Sequence, residues 1–170
     1  MIIDILGLGE SLEFHTGDNI TFGVNDICRV KNVDYLVCVD HKTAFNPERL
    51  NVIEQSDPII FYSHLPEWRT HQRFELIKLQ QFYPGKIANL DIQELPKSVF
   101  SPYVAVGLAW QKFAPEKIRL FGVDMDKHRQ LKNSKPQIQK HWQAMVTALN
   151  QKGCRVEVFG TGLLQNTISS

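Results

Sequence analysis

Gly7 and Gly9 stand one residue apart, with Ser11 two further on, directly after the apolar run at residues 2–6. Glycines at a strand exit permit positive φ and let another molecule approach the backbone closely. If the chain turns into a helix near Ser11, its free N–H groups and positive end form an anion site, most often for phosphate. The same pattern also serves as a plain tight turn. Position 12 is Leu, so the third glycine of the dinucleotide fingerprint is absent. Further polar residues follow other apolar runs: Asn25 after Gly23, Asp40 and His41, Ser63 and His64, Asp124 after Gly122, and Gly160 with Thr161. Imidazoles at such exits can move a proton near neutral pH. His41, His64 and His128 are the candidates, the last four residues past Asp124 and flanked by Lys127 and Arg129. Asp124-Met-Asp126 has the D-x-D form that can hold a divalent cation on phosphate oxygens.

The elements that must position these groups can be read in order. Residues 2–6, 19–26, 33–40, 57–62, 117–124 and 155–159 are short apolar runs rich in β-branched residues, and each reads as a strand. Asn46-Pro47 opens a helix to about Gln55, the asparagine capping and the proline taking the first helical position. Ser101-Pro102 reads as a second such start, for a helix through Phe113. Pro136 to Gln151 is amphipathic, with Ile138, Trp142, Met145, Val146 and Leu149 inward and Gly153 as its stop. Glu67 to Phe82, free of internal Pro and Gly, reads as a further helix. Residues 87–90 read as a short strand before the break at Leu95-Pro96. Strands alternating with helices predict a single α/β domain over residues 1–162, a doubly wound, mostly parallel sheet with helices on both faces. Residues 163–170 read as a tail. In such sheets ligands bind beyond the strand ends that carry the residues named above.

Composition narrows the class. The chain has 170 residues, with 19 Lys and Arg against 18 Asp and Glu, so no basic field points to nucleic acid. No apolar run approaches a bilayer span. The first strand lacks the charged head of a signal peptide, and cytoplasmic location is the expectation. Cys28, Cys38 and Cys154 are odd in number and widely spaced, which predicts reduced, buried thiols without a zinc pattern.

Taken together, several of these segments resemble one family. Gly7-Leu-Gly-Glu-Ser-Leu12 resembles the Gly-x-Gly-Pro-Ser-Leu opening of the bacterial family-42 sialyltransferases, an opening shared by the Rossmann-like domain of archaeal 6-hydroxymethylpterin pyrophosphokinases. Gly23-Val-Asn25 looks like their second-strand asparagine. Tyr103 to Asp124 is similar to their small-residue helix followed by I-x-L-x-G-x-D. The chain departs at Glu10, where the family has proline, is considerably shorter than a full sialyltransferase, and gives no match to the family's tyrosine pair. The resemblance implies a Rossmann-like domain that binds a nucleotide or nucleotide-sugar and transfers the sugar without a metal. Gly7, Gly9, Ser11, Asn25, Asp40 and Gly122 would be nucleotide-binding, and Asp124 with His128, or failing that His64, would be catalytic. The alternative is pyrophosphokinase-like phosphoryl transfer from ATP, with Mg²⁺ on Asp40, Asp124 and Asp126. A third possibility is a non-catalytic nucleotide-binding module. A homo-oligomer or a completing partner subunit is compatible with the shortness of the chain.

Overall fold

The computed structural model describes residues 1–81, 95–97, 100–124 and 135–160. Seven strands form one all-parallel sheet: β1 (Ile2–Leu6), β2 (Ile20–Val24), β3 (Tyr35–Val37), β4 (Ile60–Ser63), β5 (Phe74–Leu76), β8 (Lys117–Phe121) and β9 (Arg155–Val158). Their spatial order is β5-β4-β3-β2-β1-β8-β9. The chain therefore starts at β1, walks outward to β5, then crosses back to lay β8 against the other side of β1. A small parallel pair, β6 (Leu79–Gln81) with β7 (Leu95–Lys97), stands outside that sheet. The doubly wound α/β expectation holds.

Alternation along each strand builds two cores. Ile3, Ile5, Phe22, Val24, Val37, Tyr62, Ile118 and Leu120 face α2 (Ser101–Phe113) and α3 (Lys135–Gln151). Leu6, Leu36, Cys38, Phe61 and Phe121 point to the opposite face, under α1 (Pro47–Glu54) and single turns of 3₁₀ helix. On α3 the five residues read as its inner face, Ile138, Trp142, Met145, Val146 and Leu149, are all buried. Asn46 caps α1 as expected, its side-chain oxygen accepting from the Arg49 N–H at 2.8 Å. Gly153 ends α3 with φ +84°.

One local reading is overturned. The helix expected over Glu67–Phe82 is a 3₁₀ turn (Pro66–Thr70) followed by β5 and β6. Trp68 is drawn wholly inside against Phe45 and Phe61, and the His71 ring stacks on Phe61 at 4.5 Å. The Arg73 N–H then donates to His71 Nδ1 at 3.0 Å, which turns the chain into β5 instead of continuing a helix. Near Ser11 the chain makes a short 3₁₀ helix, Glu10–Phe14, after which His15 meets Asp4. Asp4 is fully buried in β1, gripped by Arg119 Nε and Nη2 at 2.7 Å each, and it also meets His15 Nε2 at 3.1 Å. Asp4 and Arg119 are register partners, so the pairing of β1 with β8 is what neutralises that charge. The strand expected at 87–90 and the tail at 163–170 lie outside the described residues. No helix among the described residues is long and apolar enough to cross a membrane.

Candidate functional site at the strand-order reversal

The strand order reverses between β1 and β8, and in open α/β sheets the strand ends at such a point are where ligands bind. The loop after β1 carries Gly7, Gly9 and Ser11, and the loop after β8 carries Gly122 and Asp124. The structure brings all five together. The Gly7 N–H donates to the Phe121 carbonyl at 2.8 Å and the Gly9 N–H to the Gly122 carbonyl at 2.7 Å. Ser11, 3 % exposed, uses its hydroxyl twice: it accepts from the Gly122 N–H at 2.8 Å and donates to Asp124 Oδ1. The Ser11 N–H donates to Asp124 Oδ2 at 3.0 Å.

The N–H groups expected to face an anion are thus partly spent on the protein's own carboxylate. The glycines answer to the same contact. Gly122 has φ +67°, and a Cβ there would strike the Gly7 carbonyl. A Cβ on Gly9 would run into Asp124 Oδ2, and it would also stand 2.8 Å from the Gly122 oxygen. This side of the edge is a joint made by backbone on backbone.

The neighbouring exits are built differently. Asn25, at the end of β2, is half-buried and holds φ 53°, a left-handed conformation that asparagine tolerates better than most residues. Its N–H donates to the Val37 carbonyl at 3.1 Å. Its Oδ1 accepts from the Ser101 hydroxyl at 3.2 Å, and Ser101 Oγ in turn accepts from the Val39 N–H at 3.2 Å. Ser101 was read as a helix cap, but Phe100 occupies that position and Ser101 is the first residue inside α2. With its side chain committed to β2 and β3, Ser101 pins the start of α2 to the strand exits.

Sequence reasoning missed two groups here. One is Ser101 itself, whose partner Asn25 is 76 residues away. The other is Asp26, fully buried beside Asn25, with Arg49 Nη2 on Oδ1 at 2.7 Å and Arg29 Nε on Oδ2 at 3.1 Å. That bond holds Arg49 above its already high ordinary pKa. An Asn-Asp pair directly after a strand was the available signal.

The remaining candidates are spread along the edge. Asp40 follows β3, half-buried, and its carbonyl accepts from the Trp68 indole N–H at 3.1 Å. His64 follows β4, also half-buried. Four strand spacings separate β4 from β8, about 19 Å, so His64 does not stand beside Asp124. His41 is exposed and pairs with Glu67 at 2.9 Å. Cys38 is buried, and desolvation pushes its thiol up to about 12, which makes it inert at neutral pH. Above the reversal, in the seam between α2 and α3, the Tyr103 ring meets those of His141 and Trp142 at 6.2 and 5.4 Å. Burial raises the Tyr103 phenol and lowers the His141 imidazole, keeping both neutral. His128 and Asp126 lie outside the described residues. Among the described residues no three His, Cys, Asp or Glu side chains gather into a metal-holding group.

No family model, curated protein or solved structure matches the chain.

Proposed function

We propose that the chain is a nucleotide-binding transferase of the glycosyltransferase kind, taking a nucleotide-activated sugar as donor in the crevice at the strand ends. The observation that carries the reading is the reversal of strand order between β1 and β8, with Asn25 and the start of α2 immediately beside it. In this reading the donor's phosphate lies between the Gly7–Ser11 loop and the first turn of α2, and the nucleoside runs toward Asn25. Asn25 Oδ1 is already engaged, so its amide N–H groups are the donors offered to a base or ribose. The Asp124 carboxylate, held by Ser11, orients the loop against which the sugar rests. His128 is the assigned base for the acceptor hydroxyl, following the resemblance to sialyltransferases, and Asp40 is the second carboxylate at the crevice. The reading needs no metal.

A thermal-shift panel of CMP, CMP-sugar, UDP, UDP-sugars, GDP and ATP, each with and without Mg²⁺, tests this. A ligand at about 100 times its dissociation constant contributes roughly 2.7 kcal/mol, or about 5–10 °C for a domain of this size. A metal-independent shift with a pyrimidine nucleotide, together with slow donor hydrolysis, is the expected result. A shift confined to ATP with Mg²⁺ replaces the reading by phosphoryl transfer. A shift without turnover reduces it to a binding module, and a flat panel removes the nucleotide site.

A further inference from the structure

The sheet ends, among the described residues, at β9, and that strand has an unusual self-complementarity. On its inner side the Arg155 N–H donates to the Glu116 carbonyl at 2.9 Å and the Phe159 N–H to the Leu120 carbonyl at 3.0 Å. Backbone groups alternate along a strand, so the amides of Val156 and Val158 face away from β8. Val156 and Val158 are half-buried on the α3 side of the sheet, while Arg155 and Glu157 share the other side.

We propose that two copies of this chain pair through β9, their Arg155–Val158 strands running antiparallel about a two-fold axis at Val156 and joining the two sheets into one. In this register each Val156 exchanges both backbone hydrogen bonds with its counterpart, and the Val158 N–H donates across to the Cys154 carbonyl, the Cys154 N–H being held by the Leu149 carbonyl at 2.9 Å. Arg155 of one copy then stands opposite Glu157 of the other, and the reverse, at the closer non-hydrogen-bonded positions with Cα atoms roughly 4.5 Å apart. Opposite charges at such positions stabilise a pair of strands, and like charges directly opposite weaken it. Moving the axis by one residue either way sets Arg155 against Arg155 or Glu157 against Glu157, so charge selects the register. Lys117 already pairs with Glu157 at 2.8 Å, which holds the carboxylate in place for the incoming arginine. An interface of this kind is isologous, as a two-fold dimer requires. Gly160, two residues past β9, packs on Ser11 and Asp124, so each copy keeps its own crevice, and the two crevices open at opposite edges of the joined sheet.

The test is sedimentation equilibrium of the whole chain over a concentration series, with melting temperature as a check on folding. The parent chain is expected to dimerise. Glu157→Arg sets two arginine pairs face to face and should weaken the dimer by about tenfold or more. Arg155→Glu, a change at an exposed position, should do the same. An equimolar mixture of the two variants should dimerise again, because each introduced arginine meets an introduced glutamate. Val156→Pro removes the outward N–H and should give a folded monomer. A parent chain that stays monomeric throughout overturns the proposal, as does a dimer whose dissociation constant ignores both charge reversals or whose reversal variants fail to rescue one another.

Discussion

Two serines perform the same task at neighbouring points of one edge, with different consequences. Ser11 and Ser101 are almost equally buried, at 3 % and 2 % exposure. Each hydroxyl accepts from the backbone N–H of another strand exit, Gly122 in one case and Val39 in the other. Each then donates to a side-chain oxygen, of Asp124 or of Asn25. Around Ser11 the acceptor is a carboxylate, the Gly122 bond is 2.8 Å, and glycines bring the backbones into contact. Around Ser101 the acceptor is a neutral amide, both bonds are 3.2 Å, and Asn25 stays half-exposed. Charge-assisted bonds are shorter and stronger than neutral ones. The first bridge is a structural joint, and the second leaves a half-buried amide at the strand exits.

Breaking the joint should have the largest effect. Gly122→Ala forces a Cβ onto the Gly7 carbonyl at a positive φ, and should lower stability by about 3 kcal/mol, read from urea unfolding. Next comes a direct comparison of the two serines. Ser11→Ala leaves the Gly122 N–H without its acceptor and removes a hydrogen bond to a carboxylate, a loss of about 2–3 kcal/mol. Ser101→Ala strands only the Val39 N–H and a neutral amide oxygen, for about 1 kcal/mol. Equal losses would erase the distinction between joint and crevice. The smallest effect on stability belongs to Asn25→Gly, since glycine adopts the left-handed conformation freely and offsets the lost bond to within about 1 kcal/mol. The same change should abolish the nucleotide-dependent thermal shift. If the shift survives, Asn25 is not a ligand contact.

These differences explain what could be read in advance. The exits Gly7, Gly9, Ser11, Asn25, Gly122 and Asp124 were legible as polar ends of apolar runs, but their mutual roles were not. Nothing local tells that Asp124, 113 residues from Ser11, takes the position an anion was expected to fill. Asp4 looked like an interruption of an apolar strand until Arg119, 115 residues away, met it in register. The segment from Glu67 to Phe82 misled because Trp68, Phe74, Ile77 and Leu79 satisfy a loose helical spacing. The burial of Trp68 against Phe45 and Phe61 is a long-range fact that overrides local propensity, and the His71–Arg73 turn then directs the chain into β5.

What the sequence determined by itself is the set of short-range decisions. Residues 2–6 extend because they are mostly apolar and β-branched, and residues 117–121 because polar and apolar side chains alternate along them. Asn46-Pro47 must start a helix because the asparagine satisfies a first-turn N–H and the proline needs none. Residues 136–151 must be helical because their apolar positions fall on one face. Only the tertiary structure decided the strand order, with its reversal between β1 and β8 and, among the described residues, its ends at β5 and β9. It also decided which serine meets a carboxylate and which one an amide. The reason is physical: periodicity and capping act over one turn or one pleat, whereas the β1–β8 pairing, the Asp4–Arg119 ion pair and the Ser11–Asp124 bridge are settled between groups more than a hundred residues apart.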